Sequence, residues 1–187
     1  MTNSIFRFTR RACLFLWAGL SLFGAAAVGA ASGPQIDADA QAALKSLYAS
    51  SPTAKALGDK AKGILVFPNI VKAGLIVGGQ GGDGALFKRG KRVAHYNAAA
   101  ISVGLQAGAQ SFAFAIFFMS DAEMDSFEKS KGFEIGVGPS VVVVDSGAAK
   151  DINTLTAKSD VYAFVFGQKG LMAGVGLQGT KITKVDR

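Results

Sequence analysis

The chain predicts a mainly β, α+β fold: a strongly bent, glycine-rich antiparallel sheet, closing as a sandwich or partly closed barrel, with two short N-terminal helices. Three observations carry this. A short phrase recurs as Val77-Gly78-Gly79-Gln80-Gly81, Val103-Gly104-Leu105-Gln106-Ala107-Gly108 and Val175-Gly176-Leu177-Gln178-Gly179, with a looser echo at Val165-Phe166-Gly167-Gln168-Lys169-Gly170. Glycine weakens a strand and marks bulges, bends or close approaches, so its repetition implies a curled sheet. Helical periodicity dominates before Gly63, and extended patterning dominates after it.

The helices come first. Asp37 to Ala49 places Ala43, Leu44, Leu47 and Tyr48 on one side, with Asp37 or Asp39 as candidate cap. Ser50-Ser51-Pro52 turns the chain, and Thr53 to Lys62 forms a second helix that Gly63 stops. Strands are then expected at Ile64–Phe67, ending at Pro68-Asn69, and at Ala73–Val77, Ala85–Phe87, Arg92–Tyr96 and Ala100–Phe118, the last bent or divided near Ala107 to Gln110. Ser120, three residues before Glu123, starts a capping-box-like helix through Lys129. Strands resume at Phe133–Val137 and Ser140–Val144, the valine run suiting burial on both sides, and two extended stretches, Ala163–Phe166 and Leu171–Leu177, bring the chain to its end after Lys181-Ile182-Thr183. The total is seven to nine strands.

Residues 1–31 read differently. Arg7, Arg10 and Arg11 precede an apolar run from about Ala12 to Val28, and small residues follow at Gly29-Ala30-Ala31, the pattern of a secretory signal peptide. One domain, 32–187, is expected beyond it. Cys13 is the single cysteine and lies ahead of the apolar run, so the mature chain has no disulfide and no lipoprotein cysteine. Without the three leader arginines, 17 basic residues stand against 13 acidic ones, a net charge of +4. That favours anionic surfaces without being a nucleic-acid signature.

Catalytic and cofactor chemistry find little support. With one histidine, His95, and no mature cysteine, His/Cys metal clusters and a Cys-His pair are excluded by count. No Gly-x-Ser-x-Gly elbow accompanies His95, which reads as structural. Asp83, Glu134, Asp145 and Asp160 show no spacing that pairs them. Gly79-Gln80-Gly81-Gly82-Asp83-Gly84 and Gly174 to Gly179 fit a dinucleotide pattern, yet neither opens a helix that would receive pyrophosphate. No enzyme activity, metal or cofactor is expected.

Basic residues are the candidate binding groups. Lys88, Arg89, Lys91 and Arg92 flank Gly90 at an expected hairpin tip, and Lys55, Lys60, Lys62 and Lys72 form a looser set around the short helix. Cations near an anionic bilayer contribute about 1 kcal/mol each, less at high salt. These eight are the expected contacts for lipid headgroups.

The ordered series Ala54-Lys55-Ala56-Leu57-Gly58-Asp59-Lys60-Ala61-Lys62-Gly63-Ile64-Leu65-Val66-Phe67-Pro68, Val71 to Gly79, Gly82-Asp83-Gly84-Ala85-Leu86, Ser102 to Gln110 and Gly136-Val137-Gly138-Pro139 resembles the SYLF domain, also called YSC84-like or DUF500, over roughly residues 40 to 182. The resemblance implies a lipid-binding domain. Eukaryotic members of that family bind phosphoinositides, yeast ones also bind and bundle actin, and bacterial ones are exported. Ala94-His95-Tyr96-Asn97-Ala98 stands where many relatives have Trp-Ser-x-Pro. The expectation is an exported, non-enzymatic module in the periplasm or at the envelope that contacts anionic phospholipid headgroups. The alternative is a structural or assembly protein that binds an envelope protein partner, or itself, through its glycine-rich sheet. The N-terminal helices would either cover the glycine face or leave it as an open groove.

Overall fold

The computed structural model describes residues 31–103, 108–130, 133–135, 141–144, 159–170, 177 and 179–187. All of the expected leader but Ala31 lies outside them, as do most of the second and third glycine phrases. Ala31–Arg187 forms one compact unit. Its elements are α1 (Gly33–Ser50), α2 (Pro52–Gly58), β1 (Gly63–Gly74), β2 (Val77–Lys88), β3 (Lys91–Val103), β4 (Gly108–Phe118), α3 (Asp121–Lys129), β5 (Phe133–Glu134), β6 (Val141–Val144), β7 (Val161–Gly170) and β8 (Lys181–Val185). The strands make one curled, eight-stranded half-barrel in the order β5-β8-β3-β2-β1-β4-β7-β6. The mainly β expectation holds, with one correction. The sheet is mixed, because β6 runs parallel to β7.

Two cores sit on the two faces of this sheet. On the concave side Leu65, Phe67, Ile70, Leu86, Phe112, Phe114, Ile116 and Phe118 pack with Met124 and Phe127 of α3. On the convex side Val66, Ala85, Phe87, Ala115, Phe117 and Phe164 receive Ile36, Ala40 and Leu47 of α1 and Ala54 and Leu57 of α2. Strand alternation accounts for the division: in β4 the even-numbered phenylalanines enter one core and Phe117 the other. Phenylalanines at both parities are therefore structural.

Several boundaries differ from the sequence expectation. α1 begins at Gly33, with Ser32 as cap and Pro34 in its first turn, so Asp37 is not a cap; it faces β3 from inside the helix. α2 ends at Gly58 rather than Lys62, and the Ser51 side chain accepts the Ala54 amide at its start. Pro68-Asn69 does not end a strand. β1 runs through it between β2 and β4, with the register shifting on both sides, because a bulge spares the ladder the amide that proline lacks. β3 continues past Tyr96 to Val103 as a single strand. Val142 and Val143 are 36% and 43% exposed, so the valine run is an edge strand, not a doubly buried one. α3 forms as the spacing predicts, with Ser120 accepting the Glu123 amide at 3.3 Å.

The glycines of the first phrase have separate reasons. A Cβ on Gly84 would lie 2.5 Å from the Val66 carbonyl and 2.6 Å from Phe67, and one on Gly82 would lie 2.3 Å from the Asn69 carbonyl. β1 itself, bulging over β2, excludes a side chain there. A Cβ on Gly79 would meet only the Ala100 carbonyl, at 3.9 Å. The helices cover the half of the convex face nearest Gly63 and leave the glycine end bare, so neither sequence alternative, helix-covered or open groove, describes the whole phrase.

Candidate lipid-contacting surfaces

The two ends of the β1–β2–β3 meander differ in chemistry. At one end Lys88 and Lys91 face each other across the turn Arg89-Gly90, where φ of 49° and 76° gives the doubly left-handed geometry of a two-residue hairpin. Four of the eight expected binding cations are neutralised by carboxylates: Lys88 by Glu128, Arg92 by Asp37 at 3.1 Å, Lys55 by Asp59 and Lys62 by Asp121 at 3.5 Å. Arg89, Lys91, Lys60 and Lys72 have no ion pair among the described residues.

Behind this hairpin lies a groove of about 460 Å³ between the helices and the sheet, with Leu44, Tyr48, Ile64 and Phe87 as its apolar wall and Arg89 at its edge. Burial, and secondarily the Asp59 carboxylate, pushes the Tyr48 phenol up to about 12, so it stays a neutral hydroxyl. Burial and then Glu128 do the same to Tyr96.

His95 is 3% exposed and its Nε2 lies 2.8 Å from Asp37 Oδ1, under α1. Asp37 also accepts from Arg92, so the histidine helps fasten the N-terminal helix to β3. Of the carboxylates considered for catalysis, Asp83 accepts from Asn97 and Arg187, and Asp145 lies outside the described residues. No metal-binding group of side chains occurs among the described residues, and none of their helices is long and apolar enough to cross a membrane.

The opposite end of β1 is apolar. Leu75 and Ile76 form the β1–β2 turn at 73% and 68% exposure, with Val77, Val71 and Ile101 also exposed beside them. Contiguous exposed apolar residues of this kind mark interaction surfaces. Sheet register sets them in order on the convex face. One row reads Lys169, Ser111, Val71, Gly81, Ala99, Lys181 across six strands, and the next reads Ala109, Ala73, Gly79, Ile101. Exposed lysines thus flank a side-chain-poor apolar strip.

Lys72 belongs to this end. The sequence places it with Lys55, Lys60 and Lys62, but a strand rises about 3.3 Å per residue, so β1 carries it roughly 30 Å from them. It points to the concave side, between Gln80 of β2 and Gln110 of β4. Gln80 donates to the buried Thr180 hydroxyl at 3.0 Å. Gln110 is buried, and its Nε2 has no hydrogen-bond partner among the described residues; such an orphan costs about 1–3 kcal/mol. Sequence reading missed Leu75, Ile76 and Ile101, since apolar residues in a strand pattern look like core.

The family model described as "Ysc84: Las17-binding protein actin regulator" matches residues 99–187. No curated protein matches the chain.

Proposed function

We propose that this protein, a member of the SYLF (Ysc84) family through residues 99–187, is a non-enzymatic lipid-binding module that docks on anionic phospholipid surfaces through the apolar end of its half-barrel. The SYLF family is generally non-enzymatic. The observation that carries the reading is the exposure of Leu75, Ile76, Val77 and Ile101, with Lys169 and Lys181 at the two sides of the convex strip behind them. Apolar side chains there enter the acyl region at about 1.5–3 kcal/mol each when fully buried, while the lysines meet headgroup phosphates. Residues 1–31 serve as the export signal, and the mature protein works at the envelope. An exported chain has no access to cytoplasmic actin, so the actin regulation in the family description does not extend to it.

A second reading has its own support: Arg89 at the edge of the groove, with Lys91 and Lys60 free of carboxylates among the described residues, offers a headgroup site at the basic end.

Co-sedimentation with phosphatidylcholine vesicles, and with vesicles containing phosphatidylglycerol, at low and high salt separates the readings. Docking by the apolar end predicts preference for the anionic vesicles and a residual binding that high salt does not remove, because apolar insertion is not screened. Arg89→Ala/Lys91→Ala is expected to retain most of the binding. Complete loss in that variant assigns the site to the basic end. Absence of vesicle binding together with concentration-dependent self-association supports the alternative, assembly through the bare convex strip or with an envelope protein partner.

A further inference from the structure

A Gly-x-Gln sequence on each of two strands builds two rows on the concave face at one end of the half-barrel. Gly108-Ala109-Gln110 on β4 and Gly78-Gly79-Gln80 on β2 both read Gly-x-Gln, and β1 between them reads Lys72-Ala73-Gly74 in the opposite direction. Antiparallel register therefore aligns Gln110, Lys72 and Gln80 in one row and Gly108, Gly74 and Gly78 in the row outside it. Directly opposed residues share a face, with Cβ atoms about 4.5–5.5 Å apart. The outer row has no side chains to roof the inner one, and a Cβ on Gly74 would lie 2.4 Å from the Gly78 Cα. Below the polar row, Ile70 and Phe112 close the floor.

The polar row is rich in donors. Lys72 is a half-buried ammonium without an ion pair among the described residues. Gln110 is 7% exposed and its Nε2 donates to nothing among the described residues. The Gln80 amide group is turned to Thr180 and held there. Two donors, one charged, thus stand next to each other in one row of the sheet, the Gln110 Nε2 buried. Their complement is an acceptor that carries negative charge.

We infer that Lys72 and Gln110, with Gln80 as their fixed neighbour, form an oxyanion site at the concave mouth that receives a phosphate group. Its place beside Leu75 and Ile76 suits the phosphodiester of a phospholipid whose chains take up the exposed turn, and this lipid source rests on the docking reading above. The oxyanion chemistry does not, since free phosphate presents the same acceptors.

The test uses the purified protein with Lys72→Met, Gln110→Leu and, as a control, Lys45→Ala on the exposed side of α1. Thermal unfolding is followed in inorganic phosphate and in chloride of equal ionic strength. Phosphate is expected to raise Tm in the wild type and in Lys45→Ala, and to leave Lys72→Met and Gln110→Leu unmoved. Gln110→Leu is expected to melt higher than wild type in chloride, since the orphaned donor is gone. In the lipid arm, affinity for phosphatidylglycerol vesicles falls about tenfold in both site variants. A lipid effect without a phosphate shift assigns the site to the phosphodiester. A Lys72-dependent phosphate shift in a protein that binds no vesicle keeps the site and removes the docking reading. Wild-type behaviour of Lys72→Met in both arms overturns the inference.

Discussion

Replacing Leu75 and Ile76 together with serine is expected to lower affinity for phosphatidylglycerol vesicles by at least about a hundredfold. Each side chain contributes about 1.5–3 kcal/mol if it leaves water for the acyl region, so removing both forfeits about 3–6 kcal/mol. Both are mostly exposed in the folded protein, so stability should change by no more than about 0.5 kcal/mol, and the loss cannot be attributed to unfolding. Vesicle titration alongside thermal unfolding of the same variant reads both quantities. Unchanged vesicle affinity would remove the turn from the binding surface, whatever happened at the hairpin.

The second large effect concerns the glycines. Gly84→Ala is expected to destabilise the protein by about 3 kcal/mol, because its Cβ would strike the Val66 carbonyl at 2.5 Å and backbone cannot swing away as a long side chain can. For a domain of this size that is a fall in Tm of roughly 6–12 °C. Gly79→Ala, five residues earlier on the same strand, has open space and should stay within about 0.5 kcal/mol of wild type, or gain slightly from the stiffer unfolded chain. Equal effects at the two positions would mean that β1 does not close over β2 at the Pro68-Asn69 bulge. The contrast separates glycines kept for packing from those that leave the convex strip bare.

These expectations show where local sequence logic suffices. The Ser120 cap and α3 were legible because a capping box needs only residues three apart. The glycine phrases likewise pointed to a bent sheet. The strand through Pro68 was not legible, since proline normally ends a central strand and only the flanking register reveals the bulge. Val141–Val144 read as doubly buried because a valine run at a sheet edge has the same composition as one at its centre.

The candidate site was harder to read for a physical reason. Whether a cation is available depends on carboxylates far away in sequence: Glu128 for Lys88, 40 residues off, and Asp37 for Arg92, 55 residues off. Grouping Lys72 with the helix lysines followed nearness in sequence, whereas an extended strand separates what is near in sequence faster than any other element. One signal was present and unused. Gly-x-Gln recurs on two strands flanking a Lys-x-Gly, and antiparallel pairing of those three segments is enough to align Lys72 with both glutamines.

Depth-dependent quenching by brominated phospholipids tests the docking account most directly, with a tryptophan placed at the apolar turn as Ile76→Trp or at the basic hairpin as Lys91→Trp. The chain's one tryptophan, Trp17, lies in the expected leader, so each introduced indole is the only one in the protein without that leader. On phosphatidylglycerol vesicles the account predicts blue-shifted, strongly quenched emission from the Ile76→Trp variant and no quenching of the indole introduced by Lys91→Trp. Quenching in the Lys91→Trp variant with none in Ile76→Trp would contradict it and move the membrane contact to the basic end.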